Sequence, residues 1–537
     1  MSELLFRTED IPNDEILNLF VETSQDRDII EKLKSVSPII LVGSRGVGKS
    51  FLMKVAEEEL NKNFNGNNKV LPVYLTFDKS SLIHTTDKMQ FANWMLSLIC
   101  SKIIRQLRRK GLLANLPHSI NVLSGGNYSE DVLKIEEVAK SYEDSWRNPA
   151  EEISTTSIPT VNDFKDAVQE ICEDLGIKRI NLLIDEAAHI FRPEQQRQFF
   201  TLFRDLRSPY ISCNAAVYPG VTSYGDIFQY TQDATFIYIN RDIFSGSYIE
   251  RMREIIEKQV DSDSNLLNEI SRNKNNFEIL AYAASGNPRF LLKTIARTPK
   301  VSASQINEII REFYKVELLA EHTNLSEKYP GQIGLIDWGR TFIESTVLPE
   351  LQRKNITYLQ GDKQTSCFIW VHKDVPQTVK ESLRLLEYTG IIQENGKGIK
   401  ATNAEVGTRY LVNLGCLFSQ ESAPSSTSLS IARNITSKRM TEFGMNNPYF
   451  RSLIDVIPEF KENDMTAILE NELNKSIDVL DLSYWIRDTL KRINIFTVKD
   501  ILNTTEANLK TAYYVGDKRA RLVKSAAITS VYEYLNG

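Results

Sequence analysis

The eight residues Gly43-Ser44-Arg45-Gly46-Val47-Gly48-Lys49-Ser50 constrain this chain most, because they stand between an apolar run, Pro38 to Val42, and a helical pattern from Phe51. A glycine-rich turn that ends in Lys-Ser between a buried strand and a helix is the context of a phosphate-binding loop. Its glycines let the backbone bend until several amide N–H groups face one anion, and the helix adds the positive end of its dipole. Gly43, Gly46, Gly48, Lys49, Ser50 and Phe51 are therefore the expected nucleotide-binding residues. Lys49 would reach the β- and γ-phosphates, and Ser50 would offer a hydroxyl to Mg²⁺, a hard ion that takes oxygen ligands. Arg45 faces solvent or phosphate. The cofactors implied are ATP and Mg²⁺.

A second element supports this reading. Arg179 to Ile190 runs Arg-Ile-Asn-Leu-Leu-Ile-Asp-Glu-Ala-Ala-His-Ile, an apolar strand that ends in two adjacent acids. A central parallel strand delivers carboxylates to its C-terminal edge in this way. Asp185 would join Ser50 in the Mg²⁺ shell, and Glu186 would polarise the attacking water. An acidic helix N-cap is the plainer alternative for the pair. His189 has the spacing of a packed or solvent-facing group on the following helix.

At 537 residues the chain exceeds one core and suggests three or four domains. With 42% hydrophobic and 25% charged residues, its composition is that of a soluble globular protein. No run of about 18 apolar residues occurs, and Met1 to Asp10 lacks a signal pattern, so a cytoplasmic protein without a membrane partner is expected. Cys100, Cys172, Cys213, Cys367 and Cys416 form no CxxC pair, which points to buried thiols and away from zinc or disulfides. A net charge of −6 argues against a protein coated in nucleic acid but leaves room for a local basic site.

Strand and helix alternate along the first part. Phe51 to Leu60 reads as helix, Lys69 to Phe77 as strand and Lys88 to Arg108 as a long helix. Glu194 to Leu206 reads as helix, and Ser212 to Tyr218 and Ala234 to Asn240 as strands. The order predicts a parallel sheet with covering helices, interrupted by a polar insertion at about 112–159. Farther on, in Ser285-Gly286-Asn287-Pro288-Arg289, Gly286 ends one helix, Asn287 caps the next and Pro288 fits its first turn.

With the phosphate loop, Asp185-Glu186 and the Gly-Asn-Pro-Arg ending at Arg289, the chain resembles the AAA+ ATPases, more narrowly the origin-recognition-complex type and the related signal-transducing NTPases. The resemblance makes the loop a Walker A motif, the acids a Walker B motif, and Glu186, Lys49 and Arg289 the catalytic set. Arg289 would be the second sensor, contacting the γ-phosphate from a helical lid. The first sensor would fall at Thr222 or Ser223. No arginine lies between Tyr224 and Asp233, where that class places a finger for a neighbouring subunit; Arg204, Arg207 or Arg241 could substitute.

Beyond the lid, Gln377 to Tyr388 is an amphipathic helix, and Gly390 to Lys400 reads as a hairpin with Asn-Gly at its turn, a winged-helix pattern. Lys380, Arg384, Lys397 and Lys400 could meet phosphates, diluted by Glu381, Glu387 and Glu394. Ser419 to Ser428 reads as a flexible linker. From Asp478 the sequence looks like the C-terminal domain of the RNA polymerase α subunit, a helix-hairpin-helix fold. Gly516 would be its hairpin glycine, and Lys518, Arg519, Arg521 and Lys524 would supply charge for a nucleic-acid backbone. Such units also mediate protein contacts.

The expected fold is thus an α/β P-loop core (1–240), a helical lid (241–320), a winged-helix-like domain (321–418), a linker (419–440) and an all-α helix-hairpin-helix domain (441–537). The expected function is ATP binding and hydrolysis coupled to nucleic acid, DNA favoured over RNA, and to a partner effector protein, in antiviral defence or a mobile element, with a homo-oligomer open. The alternatives are an ATP-gated signalling scaffold with little turnover and a replication or transposition regulator.

Overall fold

The computed structural model describes residues 4–65, 69–85, 87–113, 119–126, 128–129, 133–148, 152–189, 191–221, 224, 228–261, 264–453, 473–480 and 482–535. Its contacts form two units, Met1–Ser262 with Gly286–Leu292, and Asp263–Ser285 with Lys293–Gly537.

The first unit is built on five strands, β1 (Ile39–Val42), β2 (Val70–Thr76), β3 (Arg179–Asp185), β4 (Ile211–Val217) and β5 (Thr235–Tyr238), in the order β2-β3-β4-β1-β5. Every neighbouring pair is parallel. β1, β3 and β4 are buried along their whole length, which is why they read as nearly unbroken apolar runs. Two asparagines interrupt those runs for a local reason. Asn181 and Asn214 each donate to the Leu33 carbonyl, at 2.9 and 3.0 Å, closing the end of the helix Ser24–Leu33.

The chain leaves β1 for the helix Lys49–Lys62 and returns in β2, two strands beyond β4, so the sheet reverses its winding beside β1. A crevice at the C-terminal edge follows from that reversal, and there open α/β sheets bind ligands. The long helix Gln90–Arg109 buries Trp94 and Ile99. In the polar insertion, the helix Lys134–Asp144 buries Ile135, Ala139 and Tyr142, and Glu136 pairs with Arg105 at 2.6 Å. Among the described residues no helix is long and apolar enough to cross a membrane. All five cysteines are free and buried.

In the second unit a mixed sheet has the order β10-β6-β9-β7, with β8 also on β9. Its strands are β6 (Phe368–His372), β7 (Ile392–Glu394), β8 (Ile399–Lys400), β9 (Val406–Val412) and β10 (Thr441–Phe443). The helix Gln377–Thr389 buries Val379, Leu383 and Leu386, as its periodicity implies. The expected hairpin across Asn395-Gly396 is corrected. β7 and β8 pair with β9 and not with each other, Asn395 N–H donating to the Arg409 carbonyl at 2.7 Å and Arg409 N–H to that of Gly396 at 2.9 Å. The seven-residue β9 is long enough to take both short strands in succession along one edge, Ile392 to Glu394 opposite Val412 to Tyr410 and Ile399 and Lys400 opposite Gly407 and Val406.

The linker is also corrected. Pro424–Arg433 is a helix that starts on a proline and buries Ser428, Ile431 and Ala432. Two of its hydroxyls bond back to the preceding turn, Ser430 Oγ donating to the Thr427 carbonyl at 2.7 Å and Thr427 Oγ1 to the Ala423 carbonyl at 3.3 Å, so a Ser/Thr-rich segment fits a helix packed by few apolar residues. β10, just past it, lies parallel to β6. The C-terminal helices Tyr484–Lys491, Val498–Asn503, Glu506–Leu509 and Asp517–Leu535 enclose Leu490, Ile501, Leu509, Ala520 and Val523.

Candidate nucleotide site

At the C-terminal edge of the first sheet lies a cavity of about 400 Å³, within the usual size range of small-molecule sites. The phosphate loop forms its floor. Gly46 and Gly48 adopt φ of 86° and 104°, backbone that a side chain would strain. Gly46 is constrained twice, since a Cβ there would lie 2.8 Å from Arg289 Cβ and from Asn287 Oδ1. Lys49 is buried, and its Nζ donates to the Gly43 carbonyl at 2.6 Å and lies 4.2 Å from the Tyr218 ring centre. Burial pulls its ammonium down to about 8, against Asp185 and Glu186, which favour the charged form. Ser50 and Phe51 open the helix and line the same cavity.

β3 ends on Asp185, whose Oδ2 accepts a hydrogen bond from Tyr74 Oη at 2.8 Å and whose Oδ1 accepts one from the Glu186 N–H at 2.9 Å. Burial and the carboxylate hold the Tyr74 phenol protonated far above its ordinary pKa. Lys54 Nζ stands 3.8 Å from the Tyr74 ring centre. Glu186 adopts φ 47°, a left-handed backbone uncommon outside glycine that turns the chain out of the sheet. Its Oε1 accepts from Tyr218 Oη at 2.9 Å. Burial in the cavity wall raises its carboxyl above the ordinary value, and the Tyr218 hydrogen bond opposes that rise.

The turn before Arg289 is pressed onto the loop. Asn287 Nδ2 donates to the Arg45 carbonyl at 2.8 Å, and Asn287 Oδ1 caps the N–H of Arg289 at 3.1 Å. Arg289 Nε donates to the Phe6 carbonyl at 3.1 Å, and burial followed by Arg45 lowers its pKa.

Gly46, Gly48, Lys49, Ser50, Asp185, Glu186 and Arg289 thus line one cavity, while Gly43 supports Lys49 from behind. His189 lies in the connection before the helix Pro193–Asp205, not on that helix; its N–H donates to Gln195 Oε1 at 2.7 Å, and burial lowers its pKa to about 4. Thr222 and Ser223 lie outside the described residues. Arg204 pairs with Asp205 at 2.8 Å and Arg207 is exposed, whereas Arg241 lines the cavity. Sequence reasoning missed Tyr74, Tyr218 and Asp26. A polar residue at the end of a buried strand was the available signal for Tyr218; Asp26, in the first turn of the helix Ser24–Leu33, carried none beyond that of an ordinary helix-start acid.

The expected basic surfaces are altered. Arg384 is buried and pairs with Glu381 at 2.7 Å, and Lys397 pairs with Glu394 at 3.4 Å. Lys524 is buried, its Nζ donating to the Leu502 carbonyl at 2.9 Å, because its position on Asp517–Leu535 faces the neighbouring helix. Arg521 turns toward Glu506 and Asn446. Gly516 precedes the helix, but the left-handed residue of the turn is Tyr514, at φ 62°. Lys518 is exposed, and Arg519 lies 5.4 Å over the Trp485 ring. Beside it Tyr484, Tyr513 and Tyr514 are 79%, 73% and 69% exposed.

Residues 4–88 match the ORC-CDC6-like family, and residues 464–526 match the C-terminal domain of the bacterial RNA polymerase alpha subunit. No curated protein sequence matches significantly. Among solved structures the protein is similar to a Walker-type ATPase of Pyrococcus abyssi, 14% identical over 80% of this chain and 97% of that one, with a TM-score of 0.37. It is also similar to the ORC1 protein of Aeropyrum pernix in complex with DNA, 12% identical over 79% and 94%, with a TM-score of 0.27. The chain resembles origin-recognition-type proteins across its phosphate loop and the polymerase α subunit across its C-terminal helices.

Proposed function

We propose that this protein is an ATPase whose nucleotide state is coupled to nucleic acid and a partner protein. One observation carries the reading: Lys49, Ser50, Asp185, Glu186 and Arg289 converge on a single cavity at the C-terminal edge of the parallel sheet. The loop amides around Gly46 and Gly48 and the N-terminus of the helix Lys49–Lys62 cradle phosphate. Lys49, still mostly protonated at pH 7, neutralises the transferred group. Ser50 and Asp185 would supply hard oxygen donors to Mg²⁺, which when bound would offset the charge that builds on the phosphates. Glu186 takes the proton of the attacking water, and burial, by raising its pKa, makes it a stronger base for that step. Arg289, placed by its proline-started helix, stabilises the γ-phosphate.

The exposed aromatic and cationic side chains of the C-terminal helices support nucleic-acid contact, since ring faces stack on bases and Lys518 and Arg519 meet phosphates. A setting in antiviral defence or a mobile element is consistent with such a pairing of modules.

The test is ATP turnover by the full-length protein with and without duplex DNA, single-stranded DNA and RNA. Lys49→Ala should abolish hydrolysis and weaken ATP binding. Glu186→Gln should bind ATP with turnover reduced at least about a hundredfold. Wild-type turnover in Glu186→Gln would refute its role. A low rate indifferent to all three nucleic acids would move the protein to an ATP-gated switch.

A further inference from the structure

Arg241 lines the same cavity as Arg289, and neither the phosphate loop nor the two acids account for it. Its position follows from the sheet. β5 lies parallel to β1 with Tyr238 opposite Val42, and the Ile239 N–H donates to the Val42 carbonyl at 2.8 Å, carrying the ladder one step past the strands. The segment emerging from β5 therefore runs beside the segment emerging from β1, which is the phosphate loop. Two residues on, the Arg241 guanidinium reaches that loop, with Nη2 3.7 Å from where a Cβ of Gly48 would stand. Its backbone is fixed from the other side by Gly286, where a Cβ would lie 3.0 Å from Arg241 Cβ and 3.1 Å from its carbonyl oxygen.

The guanidinium is aimed but only partly satisfied. Asp26, 3% exposed, accepts from Nη1 at 3.1 Å on the oxygen that also accepts from Thr23 Oγ1 at 2.7 Å. Among the described residues no acceptor meets Nε, which is buried. Nε faces away from the cavity, so the arm offered to an anion is Nη2 beside Gly48, with Nη1 anchored on Asp26, a planar fork suited to an anion with several oxygens. The anion-binding element beside it is the loop of Gly48 and Lys49.

We propose that Arg241 is a phosphate ligand of the bound nucleoside triphosphate, supplied by the same polypeptide, with Asp26 as its positioning residue. The inference rests on the ATPase reading and deepens it. Lys49, Arg289 and Arg241 then surround the polyphosphate in cis, so charge neutralisation needs no arginine from a neighbouring subunit.

The experiment measures binding of fluorescent ATP and ADP analogues to the full-length protein, alongside thermal unfolding without nucleotide. Arg241→Ala, which also strips buried Asp26 of its counter-ion and so lowers the melting temperature, should lose at least about tenfold in ATP affinity when measured well below that temperature, whereas wild-type affinity in that variant overturns the inference. Arg241→Lys keeps the charge and the pairing with Asp26 but not the fork. It should fold with several-fold weaker binding, and full affinity there equally overturns the assignment. Asp26→Asn should weaken ATP binding less than Arg241→Ala does. A wild-type protein that binds no ATP sinks the ATPase reading itself, which separates the two failures. Mixing Lys49→Ala with Arg241→Ala protein should give no more hydrolysis than the two apart; recovery of activity would show an arginine acting between subunits and overturn the cis assignment.

Discussion

Tyr218 shows how much of this site rests on single side chains. Its hydroxyl donates to Glu186 Oε1 at 2.9 Å while its ring lies 4.2 Å from Lys49 Nζ, so one residue touches both the acid and the lysine of the proposed reaction. A hydrogen bond to a charged group is worth about 1.5–3 kcal/mol, or roughly ten- to a hundredfold in rate if it is needed only to orient the carboxylate. Tyr218→Phe keeps the ring beside Lys49 and removes the bond. It should lower kcat by about tenfold with KM nearly unchanged, and steady-state kinetics showing a raised KM at constant kcat would assign Tyr218 to nucleotide binding instead. The lysine, the serine and the two acids at the site were legible as sequence motifs. Tyr218 was not, because its role depends on β4 lying beside both β3 and β1.

At the scale of elements, the helix Gln377–Thr389 carries a testable charge. Burial pushes the Glu387 carboxyl up to about 7, with Glu394 adding to the rise and the Glu394 N–H, which donates at 2.9 Å, and Lys397 opposing it. In the unfolded state this group loses its proton near its ordinary value, so between that value and about 7 the unfolded state binds fewer protons than the folded one. Stability from this site is therefore highest in acid, falls as pH rises through that window and is flat above it. Glu387→Gln keeps an acceptor for the Glu394 N–H and removes the titration. It should stabilise the protein by about 1–3 kcal/mol at about pH 8, the lower figure allowing for partial exposure, and by almost nothing at about pH 4.5. Thermal unfolding against pH reads the difference, and an offset independent of pH would show that Glu387 stays ionised in the folded protein. The amphipathic pattern of this helix was legible because it is local. The pairing of β7 and β8 with β9 was not, because Asn-Gly signals a turn without saying which strand receives it.

For the whole molecule, the C-terminal helices put the nucleic-acid reading to the test. Lys518→Ala with Arg519→Ala should weaken binding to single-stranded and duplex nucleic acid and flatten the dependence of log affinity on log salt by about 1–2 units, leaving ATP turnover without nucleic acid unchanged. An unchanged affinity and slope would make these helices a protein-docking module. Lys524 is excluded from that test because it is buried, a fact no count of basic residues reveals. By itself the sequence determined the phosphate loop, the parallel strands, the acids at the end of β3 and the likeness of both ends of the protein to known families, since each depends on residues close together along the backbone. The tertiary structure alone decided that Tyr74 holds Asp185 from 111 positions away, that Asp26 aims Arg241 from 215 away, and that a serine-rich stretch is a packed helix. The physical reason is the order of the sheet and the burial it imposes: strand neighbours are chosen by the packing of both faces, and no local pattern encodes which distant side chain fills the space beside a carboxylate or a guanidinium.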